Sequence, residues 1–266
     1  MTTRPDELPE DPLRRLEAVM DVLRGPEGCP WDREQDHRTL RSHLLEETYE
    51  VLSVLDDPRG PDDAALVEEL GDLLLQIVFH ARLGAERGSF DLDRVAGKIT
   101  EKLIRRHPHV FGTAEVEGPD DVLHNWERLK QEEGKDSALE GVPPSLPALA
   151  RASRLAAKAR RAGFTWKDAS GAADKVEEEW AEVREAGEDR EEVRRELGDL
   201  LLALAVYAER REVDPESALR EAAARFQARF ERLEGRAREA GMRLQQAGEE
   251  RLLGWWESAG QEEGDP

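Results

Sequence analysis

Glu69-Leu-Gly-Asp-Leu-Leu-Leu75 recurs letter for letter as Glu196-Leu-Gly-Asp-Leu-Leu-Leu202. The same acidic pattern precedes each copy: Glu46-Glu47-x-x-Glu50 before the first, Glu178-Glu179-x-x-Glu182 before the second. Chance does not repeat both patterns in the same order, so the chain reads as a tandem duplication. Between the copies, Gly134 to Pro147 is rich in Pro, Gly and Ser and carries no sustained period. The expected organisation is a helical domain over 1–135, a linker over 136–147 and a second helical domain over 148–266. A chain of 266 residues has room for two cores, each of about 130 residues.

Apolar residues recur with helical spacing along both halves, and no segment alternates with period two. The expected fold is therefore all-α. Helices are predicted at 10–24, 37–57, 62–88, 91–106 and 119–133, then at 147–162, 170–187, 189–211, 214–240 and 246–259. Asp11-Pro12 and Asp214-Pro215 have the form of an N-cap followed by proline at the first helical position, and Ser145 is the candidate start of the helix leaving the linker.

At about 100° per residue, Leu44, Leu45, Thr48, Val51, Leu52 and Leu55 share one arc, with Glu47 at its border and Glu46 and Glu50 beside it. From Leu70 to Ala81 the following helix is apolar nearly all round, which predicts burial. Its polar residues Glu69, Asp72, Gln76 and His80 fall on one narrow stripe. In the second half, Asp199 is the only charge between Glu196 and Glu209. An unpaired buried carboxylate costs several kcal/mol. Two at i, i+3 facing three more on a neighbouring helix call for a divalent cation, and hard oxygen donors select Mg²⁺, with Mn²⁺ as substitute. The glycine between each pair of acids, Gly71 and Gly198, suggests close approach of a neighbouring helix, because glycine inside a helix costs about 1 kcal/mol relative to alanine.

A formal net charge of −21 repels nucleic-acid backbones and anionic membranes. No nucleic-acid or membrane partner is expected. The single cysteine, Cys29, excludes an internal disulfide and a multi-thiolate zinc site. The longest apolar run, Leu200–Ala208, is far too short to span a bilayer. The stretch before Pro12 lacks the features of a signal peptide, so a cytoplasmic location is expected.

At these acidic motifs the sequence resembles the MazG nucleoside triphosphate pyrophosphohydrolases, whose signature is EExxE followed by ExxD. The resemblance extends to Gly28-Cys-Pro-Trp-Asp32, Arg105-Arg-His-Pro-His-Val-Phe111, Ser145-Leu-Pro-Ala-Leu149 and Gly163-Phe-Thr-Trp166, and covers roughly residues 12–260. It implies two tandem all-α pyrophosphatase domains, subunits that pair as homodimers, and Mg²⁺-dependent cleavage of NTPs or dNTPs to monophosphate and pyrophosphate. The implied metal ligands are Glu179, Glu182, Glu196 and Asp199, with Glu47, Glu50, Glu69 and Asp72 as their first-half counterparts. Lys175, Arg225, Arg229 and Trp255 (or Trp256) match substrate-binding positions, as do Lys102, Arg106, Trp126 and Lys130 in the first half. Ala223 replaces the family's usual Asn, Glu192 stands where a basic residue is common, and no lysine follows the tryptophan pair at the expected spacing. In tandem members the second half is often the hydrolytic one.

The expected chemistry is metal-assisted hydrolysis, with Glu178 or Glu179 taking the proton of the attacking water. Two rivals compete. A carboxylate-bridged di-iron bundle needs two ExxH pairs, and the chain offers one, Glu34-Gln-Asp-His37. The other is a non-catalytic nucleotide-binding or regulatory module with vestigial metal sites.

Overall fold

In a computed structural model, residues 5–57, 59–114, 118, 121, 137–164 and 169–261 are described. Among them every regular element is a helix, and the chain divides into two compact units, Met1–Glu133 and Gly134–Pro266. The predicted helix at 119–133 lies outside the described residues except for Asp121.

The first unit contains α1 (Pro12–Leu23), α2 (Pro30–Glu34), α3 (Arg41–Leu55), α4 (Asp63–Glu86), α5 (Leu92–Arg106) and the single turn α6 (Pro108–Phe111). Asp11, Asp62 and Asp91 cap α1, α4 and α5 by accepting the backbone N–H of Arg14, Ala65 and Arg94. Helix α4 is the hub, with α3 and α1 packed on it. Met20, Leu40, Val78, Phe79, Ala81, Leu83 and Leu92 form the core between them.

The Gly28–Asp32 landmark turns the chain back over the end of α1. A Cβ on Gly28 would lie 2.1 Å from the Leu23 carbonyl oxygen, so only glycine fits the turn. Arg24 anchors that turn. Its guanidinium grips Glu86 of α4 with two bonds of 2.7 and 2.8 Å, donates to the Asp32 and Gln35 carbonyls, and lies 5.4 Å from the centre of the Phe79 ring.

The second unit contains α7 (Ala148–Arg161), α8 (Ala169–Glu185), α9 (Arg190–Arg210), α10 (Pro215–Glu239), the turn α11 (Leu244–Ala247) and α12 (Glu249–Gln261). Helix α9 plays the part of α4, against α8 and α7. Its buried residues are Glu196, Leu200, Ala203, Ala205 and Val206. Asp189 and Asp214 cap α9 and α10. Helix α7 begins instead at Ala148 behind Pro147, without a side-chain cap. Ser145 therefore does not start it, because it sits in the turn closed by the Leu146 N–H to the Pro143 carbonyl.

Two further expectations are corrected. Helix α4 is buried along one stripe only. Gln76, Val78, Phe79, Ala81 and Leu83 are buried, whereas Val67, Leu70, Leu74 and Ile77 are exposed, as are Leu45 and Leu55 of α3. Leu197, Leu201, Leu202 and Leu204 repeat this exposure on α9. Each hub helix has neighbours on part of its circumference, so the remaining apolar face of each has no cover among the described residues. The glycines of the repeated word also mark no close approach. A Cβ on Gly71 or Gly198 would meet nothing within 4 Å.

Candidate active site

The second turn of α3 and the first half of α4 bring three carboxylates together. One oxygen each from Glu47, Glu50 and Glu69 lies within 4.8 Å of the others. On α8 and α9, Glu179, Glu182 and Glu196 form the same group within the same limit. The repeated sequence thus folds into a repeated constellation. Helical spacing explains it: i, i+3 on the first helix puts two acids on one face, and the hub helix presents the third across the helix pair.

Asp72 and Asp199 lie outside these tight groups. Both are exposed, one turn along from Glu69 and Glu196. Asp72 is near enough to push up the pKa of Glu47 and of Glu69.

Electrostatic stress differs between the sites. In the first unit, burial raises the Glu47 pKa, and a shared hydrogen bond with Glu50 and the charges of Glu50, Asp72 and Glu69 raise it further. Burial and the charges of Glu50, Glu68 and Asp72 do the same to Glu69. In the second unit, burial raises Glu182, followed by the charges of Glu179 and Glu196, with Lys175 opposing. Lys175 Nζ sits 2.6 Å from Glu179 and 3.0 Å from Glu178, and this pairing holds its pKa well above the ordinary lysine value. Arg195 clasps Glu196 through Nη2 at 2.7 Å and Nε at 3.1 Å. Glu179 and Glu196 are 5 % and 9 % exposed, so these cations neutralise the two buried members of the trio.

The donor sets suit a hard divalent ion. All contacts are carboxylate oxygens, and a spread within 4.8 Å can close around an ion with Mg–O bonds of about 2.1 Å. The raised carboxyl groups record burial first and then mutual repulsion, which such an ion relieves.

The other expected site residues are distributed unevenly. Glu178 is exposed and tied to Lys175, outside the ligand trio. Arg225 is exposed on α10, 3.9 Å from Glu221. Arg229 is committed elsewhere: its guanidinium lies 4.2 Å from the centre of the Trp256 ring and its Nε donates to the Trp256 carbonyl at 2.9 Å. It joins α10 to α12 through the aromatic ring and the carbonyl. Trp255 lines a different concavity of about 760 Å³ with Arg232, Arg236 and Glu239. In the first unit, Lys102 edges a concavity of about 600 Å³ floored by Phe90, Val95 and Ile99. Arg106 is half-buried at the end of α5. Trp126 and Lys130 lie outside the described residues.

His37 has no metal-ligating role in the geometry. Its Nδ1 is 2.8 Å from Nδ1 of His80, the rings stack, and Arg87 contacts its Nε2. Arginine can only donate, so Nε2 of His37 accepts and its Nδ1–H is left for His80. With both nitrogens engaged, the single ExxH motif supplies no iron ligand.

Sequence reading missed Arg195, Glu68 and His43. Aligning the two copies register by register exposes them: Arg195 replaces Glu68 beside the hub acid, and Lys175 replaces His43 one turn before the paired acids.

The MazG nucleotide pyrophosphohydrolase domain matches residues 35–111, and the phosphoribosyl-ATP pyrophosphohydrolase family matches residues 148–226. The chain is 43 % identical over 93 % of its length to the nucleoside triphosphate pyrophosphohydrolase/pyrophosphatase MazG of Thermotoga maritima, covering 95 % of that protein. The chain belongs to the MazG family. A nucleoside triphosphate pyrophosphohydrolase of Escherichia coli is 42 % identical over 84 % of this MazG-family chain and 87 % of its own. One of Mycobacterium tuberculosis is 39 % identical over 62 % of the chain and 50 % of its own. Both matched segments contain their unit's acidic trio.

Proposed function

We propose that the chain hydrolyses nucleoside or deoxynucleoside triphosphates to the monophosphate and pyrophosphate with Mg²⁺, or with Mn²⁺ in its place. The reading is carried by the convergence of Glu179, Glu182 and Glu196 across α8 and α9, duplicated by Glu47, Glu50 and Glu69 across α3 and α4. It is supported by the activity named for the Thermotoga and Escherichia relatives.

The bound ion would neutralise the triphosphate and activate water. In the second unit Glu179, Glu182 and Glu196 would hold it, with Asp199 joining as the acids close around it. Lys175, released from Glu179, would meet a phosphate oxygen. Glu178, outside the ligand trio, is left to accept the proton of the attacking water, with Glu179 the other candidate. Arg225 is an exposed cation on α10 for the phosphates, and Trp255 the surface for a base. The second unit is assigned hydrolysis; Lys102 and Arg106, with Trp126 and Lys130, are assigned a nucleotide-contacting role in the first. Domain limits of 1–135 and 148–266 around a linker at 136–147 complete the reading.

Among the described residues no helix is long and apolar enough to cross a membrane, and we place the enzyme in the cytoplasm in a nucleotide-pool, house-cleaning role. The uncovered faces of α4 and α9 are assigned to a second copy of the chain, as a homodimer. The test is pyrophosphate release from the eight common triphosphates with Mg²⁺ in ¹⁸O-water. Glu196→Ala and Asp199→Ala should each abolish turnover with helicity unchanged. Full turnover in both variants would remove hydrolysis from the second unit.

A further inference from the structure

Corresponding positions of the two acidic sites carry different charges. In the second unit Lys175 pairs with Glu179 and Glu178, and Arg195 pairs with Glu196 through two nitrogens. The register of the repeat puts His43 and Glu68 at the equivalent positions of the first unit. His43 contacts Glu46 at 3.3 Å, on the solvent side, and Glu68 adds a negative charge beside Glu69. Among the described residues no lysine or arginine pairs with Glu47, Glu50 or Glu69. The side-chain exposures of Glu179 and Glu196 are 7 % and 11 %, so the ammonium and guanidinium occupy carboxylate oxygens that an incoming ion would need.

We propose that the two sites take their divalent ion in different ways: the first unit binds it without nucleotide, whereas in the second Lys175 and Arg195 are internal counter-ions that the ion displaces only together with a triphosphate. The inference rests on the metal-dependent reading above. The physical argument is competition. A site already neutralised by two tethered cations attracts a further cation weakly, and releasing them unaccompanied strands two positive charges beside the metal. A triphosphate removes that obstacle, because its oxygens are acceptors for both freed side chains. Metal and nucleotide binding are then coupled in the second unit and not in the first, and by linkage each ligand tightens the other. Arg195 is a counter-ion in this scheme. It is exposed at the rim of a concavity shared with Asp189, Glu191, Glu192, Arg194 and Gly198.

The experiment is Mn²⁺ titration of the full chain, followed by electron paramagnetic resonance and calorimetry, with and without a triphosphate bearing a non-hydrolysable α,β-methylene bridge. Without nucleotide, wild type should load one tight site, and Glu47→Gln with Glu50→Gln should remove it. Adding the analogue should load the second. Lys175→Met with Arg195→Met should raise the second unit's affinity without nucleotide by about tenfold or more, the scale expected for a unit charge at contact distance near a surface. Glu68→Arg, an exposed change of no consequence to the core, should weaken the first site by a similar factor. Equal loading of both units in nucleotide-free wild type would overturn the inference. So would unchanged affinity in the Lys175/Arg195 double variant. Failure of either unit to bind Mn²⁺, with or without the analogue, would instead overturn the metal-dependent reading itself.

Discussion

Replacing Glu47 by Gln should stabilise the metal-free protein while removing the protection Mg²⁺ confers on its first unit. The reasoning begins with three carboxylate oxygens within 4.8 Å of one another. Two unit charges at that separation repel by about 0.9 kcal/mol at the dielectric of water. Glu47 faces two such neighbours, Glu50 and Glu69, and Glu50 is exposed enough that the water-like value applies. Removing its charge should therefore yield about 1–2 kcal/mol after salt screening, or a rise of about 3–5 °C in the melting of a unit of this size. The pH dependence follows from the raised Glu47 and Glu69 pKa values, caused first by burial. The folded state binds more protons than the unfolded one, so wild type loses stability as pH rises from the ordinary glutamate value through the raised one. The variant's advantage should accordingly be absent near pH 4 and complete near pH 8. With saturating Mg²⁺ the order reverses, since wild type gains about 2.7 kcal/mol at one hundred times its dissociation constant. Urea unfolding in EDTA and in Mg²⁺, with hydrogen exchange read over Arg41–Leu55 and Asp63–Glu86, measures both arms. A variant less stable than wild type in EDTA at pH 8, or equally protected by Mg²⁺, would refute the account.

Arg24→Met should cost about 2 kcal/mol, because it removes a buried guanidinium from the Asp32 and Gln35 carbonyls and leaves Glu86 with Arg82 alone; urea unfolding and enhanced exchange over residues 28–36 would report it, and a loss under 1 kcal/mol would contradict it. Arg229→Met should destabilise the docking of α12 on α10 by about 1–2 kcal/mol and shift Trp fluorescence without altering Mn²⁺ affinity; a phosphate-gripping role would instead show as lost analogue binding at unchanged stability. Burial, then the charge of His37, lowers the His80 pKa from its ordinary 6.5. The folded state therefore binds fewer protons and loses stability as pH falls below that value, and Arg87 beside His37 opposes a second cation there. His80→Asn should flatten this loss between pH 7 and 5 in melting curves; an unchanged slope would assign the acid sensitivity elsewhere. Leu74→Lys with Leu201→Lys should shift the chain toward monomer in light scattering while preserving helicity, and an unchanged mass would leave the exposed faces of α4 and α9 with another role.

The repeat, the helical class and the identity of the acidic residues were legible in the sequence, because each is a local property. Helical period sorts residues onto faces, capping aspartates mark where helices begin, and EExxE with ExxD fixes which acids share a face. What the sequence could not decide was which faces would find partners. Leu70 and Leu74 read as core, yet they are exposed because neighbouring helices cover only one side of α4. Gly71 and Gly198 suggested contact, yet open space lies above them. The contact of Arg229 with Trp256, distant in sequence, was not foreseeable from spacing. Above all, the two acidic motifs look alike as strings. Only the folded chain reveals that Lys175 and Arg195 close on one trio while no described lysine or arginine pairs with the other, because charge pairing depends on side chains meeting in space and not on the spacing of letters.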